Sequence, residues 1–393
     1  MKIVLAPDSF KESLSAARVC RAMERGLRRV LGSMEIVSVP MADGGEGTVD
    51  ALVQATGGEL RETDAHDPLD RPIAARYGIL PDGRGAVVEM AAAGGLDLLS
   101  TQERNPLRTT TRGTGELIHA ALDAGARRII VGIGGSATVD CGTGMAAELG
   151  VRFRDAHRRP IERPCGGALE RMAEIDVSGL DERLSGTEII VASDVTNPLT
   201  GPDGAARVYA PQKGADPDAV RRLEAGIEHF AELVQEQLGT DLREVPGAGA
   251  AGGLGAGLVA FLGAEIRSGI VTVMETARLR ERMRGAVLVL SGEGRLDRQS
   301  AFGKVPAGVA ELAAELDVPA VVLAGALGQG WEAIYDSGAC AVYSICDRPM
   351  TAEEAFRRAP ELIENAAESV LRLWLTGHRA EHNQQTNRCQ NEN

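Results

Sequence analysis

The chain has 393 residues with 42 Lys+Arg against 56 Asp+Glu, a formal net charge of −14 that excludes a nucleic acid as the expected partner, because no basic excess exists to hold a polyanion. Glycine reaches 48 residues while aromatics make up only 3%, which suits a glycine-rich α/β protein, and 41.3 kDa favours two domains over one. The cations are unevenly divided: Lys2, Lys11, Lys213 and Lys304 are the only lysines, and the other 38 are arginines.

In chain order, residues 2–5 read as a first strand. The apolar run stops at Pro7 and Asp8, too soon for a signal peptide, so the expected compartment is the cytoplasm. The loop APDSFKES leads to a helix over 14–31, with Leu14, Met23, Leu27, Val30 and Leu31 mainly on one face and Ser13 or Ser15 as its cap. A second strand over 36–39, the loop MADGGEG and a helix over 48–56 closed by Gly57 and Gly58 repeat the pattern. Residues 71–91 differ, since two strand-like runs flank PDGRG, a hairpin signal pointing to a mixed sheet in the middle of the chain.

Strand-loop-helix grammar returns at 128–131 before GIGGSATVDCGTG, at 189–192 before SDVTNPL, and at 286–290 before SGEGRLDRQSAFGK. Strands at 318–323 and 341–345 follow. Residues 245–264 carry no charge and contain G-x-x-x-G spacings, but their glycines favour a soluble loop leading into a helix over a membrane span. The polar residues from 376 to 393 are read as a disordered tail, and His378 and His382 within it lack the Glu of a zinc motif. Six scattered cysteines without a C-x-x-C pair indicate reduced thiols.

Loops at the carboxyl ends of parallel strands converge on one crevice, and glycine-rich turns there present backbone N–H groups to phosphate. Three of the four lysines lie in such loops: Lys11 in DSFKESLS, Lys213 in APQKGA and Lys304 in SAFGKVP. A chain that otherwise uses arginine would keep lysine where a compact ammonium is required; the plainer alternative is three surface lysines beside turns. Asp8, Asp43, Glu46, Asp140, Asp194, Glu293 and Asp297 also sit in or beside these loops. Individually each suits a turn, and together they suit phosphoryl transfer, which needs phosphate donors, carboxylates for Mg²⁺ and a group to take the acceptor's proton. A competing reading takes Gly132 to Ala137 as a dinucleotide fingerprint with Asp155 as its acid, giving an NAD(P)-dependent dehydrogenase of a small hydroxy acid. A non-catalytic small-molecule-binding protein ranks third.

The strings MKIVLAPDSFKESLSA, PMADGGEGT, RNPLRTTTRGTGELI, GIGGSATVDCGTGMAAELG, SDVTNPLTGPDGAARVYAPQKGA, PGAGAAGGLGAG and SGEGRLDRQSAFGKVPAGVA, in this order, resemble the bacterial glycerate kinases of glyoxylate and glucarate catabolism, up to about residue 375. The resemblance implies an ATP- and Mg²⁺-dependent kinase acting on D-glycerate, usually at the 2-hydroxyl. It also implies two α/β domains with a cleft between them: a discontinuous Rossmann-like one over 1–75 and 285–375, and a mixed-sheet middle one over 76–284.

Where the family usually has DSFKGSLSA this chain has Glu12, and where it has GGSATNDGG this chain has Val139 and Cys141, the latter replacing a residue that allows φ > 0. Ser193 and Ser300 are milder departures. The expected catalytic residues are Asp8, Lys11, Asp194 and Asp297, the last pair also as Mg²⁺ ligands. Substrate or phosphate contacts are expected from Ser9, Asp43, Gly44, Glu46, Gly134, Gly135, Ser136, Asp140, Asn197, Lys213, Glu293 and Lys304. The cation for the glycerate carboxylate stays open among Lys11, Lys213 and an arginine such as Arg71, and the sequence does not give the oligomeric state.

Overall fold

The computed structural model describes the backbone of residues 1–301 and 303–391, and the side chains as far as residue 377 apart from 302. Thirteen strands occur among the described residues: β1 (Lys2–Leu5), β2 (Glu35–Ser38), β3 (Glu59–His66), β4 (Pro72–Ile79), β5 (Gly85–Glu89), β6 (Arg128–Gly132), β7 (Arg152–Arg154), β8 (Glu174–Asp176), β9 (Glu188–Ala192), β10 (Glu265–Arg267), β11 (Leu288–Leu296), β12 (Ala320–Leu327) and β13 (Ala341–Ser344). The chain forms two compact units, one made of Met1–Met41 with Ala277–Asn393, the other of Ala42–Thr276.

The discontinuous unit holds a five-stranded sheet in the order β13-β12-β11-β1-β2, with every pairing parallel. The helix Ala16–Arg28 starts after Ser15, which stands at the cap position but makes no side-chain cap hydrogen bond. Its buried Val19, Cys20, Met23 and Leu27 share one core with Leu362, Ile363, Ala366 and Ala367 of the helix Ala352–Asn391. These two helices approach closely because residue 26 has no side chain: a Cβ there would lie 2.1 Å from the Glu364 carbonyl oxygen. Arg25 and Arg29 then pair with the Glu364 carboxylate, each at 2.5 Å. The backbone of that last helix continues through Asn391, where composition alone suggests no regular structure. Side chains beyond 377 lie outside the described residues, and with them most of the 376–393 tail, including His378 and His382.

The other unit has a mixed six-stranded sheet in the order β10-β9-β6-β5-β4-β3 and a two-stranded β7-β8 sheet. β10, β9, β6 and β5 pair in parallel, while β5-β4 and β4-β3 are antiparallel. The PDGRG hairpin therefore forms as the sequence indicates. The first division falls at Met41 rather than near residue 75, because β3 pairs along its whole length with β4 and so carries the preceding helix Thr48–Thr56 into this sheet. The second falls at Ala277 rather than 285.

The uncharged 245–264 stretch forms the helix Ala250–Leu262, whose first turn is interrupted by positive φ at Ala251, Gly252 and Gly253. Its glycines exist for contact. A Cβ at 252 would meet the Thr138 carbonyl oxygen at 2.0 Å, and one at 257 the Cys141 carbonyl oxygen at 2.3 Å. This helix thus seats the 132–144 loop after β6. No helix among the described residues is long and apolar enough to cross a membrane.

Candidate active site

In the discontinuous unit the site is built at the carboxyl ends of β1 and β11. The parallel pairing continues past β1, with Ala6 N–H donating to Leu290 O and Asp8 N–H to Gly292 O, each at 2.8 Å. Asp8 is buried, and its Oδ1 accepts from the Ser9 N–H at 2.6 Å. Phe10 and Leu14 exchange two backbone hydrogen bonds of 2.8 Å, closing a tight loop that leaves Lys11 exposed. Within this loop Glu12 has φ +64, so the residue standing in the family's usual glycine position adopts the conformation that glycine favours.

Glu293, on the β11 extension, is only 6% exposed, and its Oε1 has no hydrogen-bond partner. Burial pushes its carboxyl up to about 7, against a hydrogen bond from Ser300 and the positive charges of Lys304 and Lys11, with Asp297 adding to the rise. Asp297 Oδ1 accepts from the Gln299 N–H at 2.9 Å and Oδ2 stands 3.5 Å from Arg295 Nε. Lys304 precedes the helix Val305–Glu315 at its cap position. Asp8, Lys11, Glu293, Asp297 and Lys304 thus all belong to this one unit.

In the second unit, the loop 43–47 crosses the ends of β6 and β9 through glycine contacts. A Cβ at Gly44, where φ is +87, would lie 2.5 Å from Ala192 O; one at Gly134 would lie 2.7 Å from the Gly45 Cα. Asp43 is half-buried, with Oδ1 accepting from the Gly45 N–H at 3.1 Å. Asp194 Oδ1 accepts from Ser268 Oγ at 2.7 Å and Gly269 N–H at 2.9 Å. Loss of solvent contact raises its carboxyl above the ordinary value, those two donors oppose the rise, and the Asp43 charge adds to it.

A cavity of about 330 Å³ opens beside these groups, lined by Glu46, Arg76, Glu89, Ala92, Asp97 and Gly135 among others. Glu89, at the end of β5, is missed by the sequence reading. Burial pushes it up to about 6 even though its Oε1 accepts from the Val49 N–H at 2.6 Å. An acid closing a central strand is the signal that points to it.

Three expected contacts are occupied inside the fold. Asp140 is wholly buried and accepts from Thr111 N–H at 2.8 Å, Thr111 Oγ1 at 2.9 Å, Gly142 N–H at 3.2 Å and Gly144 N–H at 3.3 Å. Burial raises its carboxyl, against those donors. Asn197 donates to Asp203 O at 2.8 Å and accepts from Tyr209 Oη at 2.7 Å, tying down its own turn. Lys213 is 1% exposed, with Nζ donating to Ser136 Oγ at 2.6 Å and Thr138 O at 2.7 Å, and desolvation pushes it down to about 7. Arg71 is held by Asp67 at 2.5 Å and Glu103 at 2.6 Å.

Val139 and Cys141 both pack in the apolar core, and Cys141 has φ +52, the second non-glycine residue with positive φ at a family glycine position. The described cysteines are all free. The dinucleotide fingerprint lacks its architecture. Residues 152–154 form β7, which pairs with β8 away from β6, and Asp155 is held near 2 by N–H donors and the guanidinium within its own turn.

The model of the glycerate kinase family matches residues 3–375. The chain is 49% identical to the glycerate kinase of Bacillus subtilis, covering 94% of this chain and 97% of that one. It is 48% identical to the glycerate 2-kinase of Escherichia coli K12, covering 96% and 99%. A crystal structure described as glycerate kinase 2 from Salmonella typhimurium LT2 superposes with a TM-score of 0.88 at 46% identity, over 96% of this chain and 99% of that one.

Proposed function

The chain belongs to the glycerate kinase family, and from that membership we propose that it transfers the γ-phosphoryl group of ATP to D-glycerate, at the 2-hydroxyl, in the cytoplasm. The structural observation that carries this reading is Glu293: a buried carboxyl with an unpartnered oxygen, acted on by the charges of Lys304 and Lys11. A general base is most effective when its proton affinity matches the working pH, and a carboxyl pushed up to about 7 meets that condition.

As the bond from the glycerate oxygen to phosphorus forms and the bond from phosphorus to the ADP oxygen breaks, the acceptor's proton passes to Glu293. Lys11 and Lys304 supply positive charge to the anions in the same unit. The loop at Gly134, Gly135 and Ser136 provides backbone and hydroxyl donors for an anion in the other unit.

Mg²⁺ takes hard oxygen ligands and keeps several waters, typically with one or two protein carboxylates. Asp43 and Asp194 fit that demand, since the charge of the first raises the proton affinity of the second, and Asp297 stands in the other unit. Among the described residues no group of three or more His, Cys, Asp or Glu side chains is placed to hold a metal. When bound, Mg²⁺ would neutralise charge developing on the transferred phosphate.

The reading is tested by incubating the purified protein with ATP, Mg²⁺ and D-glycerate and following phosphorus NMR. 2-Phosphoglycerate is expected. A 3-phosphoglycerate product would move the target hydroxyl, and NAD(P)H turnover with small hydroxy acids in place of any phosphorylated product would overturn the proposal.

A further inference from the structure

Of the four lysines, Lys213 alone is fully withdrawn from solvent, and its ammonium is spent on two neutral oxygens, Ser136 Oγ at 2.6 Å and Thr138 O at 2.7 Å. The nearby Asp140 carboxylate is taken up by Thr111, Gly142 and Gly144. A buried ammonium without its own carboxylate is costly to the fold, and methionine, unbranched and of similar length, would fill the same space without that cost.

What methionine could not do is hold Ser136. A serine hydroxyl has one proton, and because Oγ accepts from Lys213 that proton is directed elsewhere. No described residue receives it. Ser136 keeps 7% of its surface exposed, and it follows Gly135, which lines the 330 Å³ cavity.

We infer that Lys213 is a positioning residue that never touches substrate, and that it charges and aims the Ser136 hydroxyl as the donor for an anionic oxygen. Resting on the kinase reading, this names two sources for that oxygen, a phosphate of ATP or the carboxylate of glycerate. The ammonium acts at one remove, which reconciles its place in the glycine-rich site with its burial.

The test compares wild type with Lys213→Met, Ser136→Ala, Ser136→Thr and the Lys213→Met/Ser136→Ala double variant, by thermal melting, by steady-state kinetics and by calorimetric titration with ADP and, separately, D-glycerate. Lys213→Met is expected to melt no lower than wild type, yet to weaken one anion roughly tenfold to a hundredfold, the loss of a charge-assisted hydrogen bond. Ser136→Ala should weaken the same anion, the double variant should be no worse than either single one, and Ser136→Thr should restore binding by keeping the hydroxyl. Weakened ADP with an equally raised KM for ATP assigns the oxygen to phosphate; a raised KM and Kd for glycerate alone assigns it to the carboxylate. Wild-type affinity for both ligands in Ser136→Ala overturns the inference whether or not Lys213→Met folds, as does multiplication of the two losses in the double variant. A kinase-inactive wild type that binds neither ligand would instead remove the reading beneath it.

Discussion

Replacing Glu293 by Gln keeps shape and removes a titration, and its consequence can be worked from burial. The folded-state value of about 7 stands above the ordinary 4.5, so between these two pH values the folded chain holds a proton that the unfolded chain releases. The stabilising contribution of the protonated carboxyl is complete below about 4.5 and is lost as pH rises through 7, after which the fold carries a buried charge. At 1.36 kcal/mol per unit the swing is about 3 kcal/mol, the two nearby ammonium groups being already counted in the value of about 7. Glu293→Gln does not undergo this loss. Its stability relative to wild type is therefore predicted to improve by about 2 to 3 kcal/mol between pH 4.5 and pH 8.

The two tryptophans, Trp331 and Trp374, both lie in the discontinuous unit that holds Glu293. Guanidinium unfolding followed by tryptophan fluorescence thus reads the right unit across this pH range. In the same variant kcat should fall by about 10² to 10⁴, the range for a lost general base, and the acid limb of the wild-type pH profile near 7 should vanish. Stability curves that stay parallel across the range, together with an acid limb that persists in the variant, would refute the reasoning.

Lys11→Arg preserves charge but not the compact ammonium, and should lower kcat/KM by about 3 kcal/mol, roughly a hundredfold, in a coupled ADP assay. Glu12→Gly relieves a positive φ of +64 on an exposed residue; allowing for the added freedom of the unfolded chain, thermal melting should show a gain of about 0.5 to 1 kcal/mol. Gly26→Ala drives a Cβ to within 2.1 Å of the Glu364 carbonyl, forcing the helices Ala16–Arg28 and Ala352–Asn391 apart. Denaturant unfolding read by the same tryptophans should show a loss of about 1 to 3 kcal/mol.

How far the sequence discloses this molecule depends on whether the deciding contact is local. The strand Lys2–Leu5 and the helix Thr48–Thr56 have the bounds their punctuation implies, because Pro7 and Gly57 end them within the chain's own neighbourhood. β11 runs on to Leu296, past the Gly292 to Gly294 segment that reads as a loop, because β12 supplies partners as far as Leu327. β3, the polar string ELRETDAH, has little strand signal of its own and takes its place from β4. Its distant pairing, not its composition, decides that residues 42–75 join the middle unit.

The candidate site follows the same rule. Acids and lysines beside glycine turns are visible in the chain, and the structure sets Asp8, Lys11, Glu293, Asp297 and Lys304 in one unit. Which of these acids are already satisfied is not visible. Asp140 is filled by Thr111, 29 residues away, and Lys213 is buried by a loop 77 residues before it. Glu12 and Cys141, legible only as departures from a resembling family, gain their physical meaning from the positive φ found at both.

The most direct test of the account is the initial rate of ADP release by the purified protein with ATP and Mg²⁺, measured with and without D-glycerate. The account predicts release that depends on D-glycerate and yields stoichiometric phosphoglycerate. A rate unchanged by D-glycerate would contradict it.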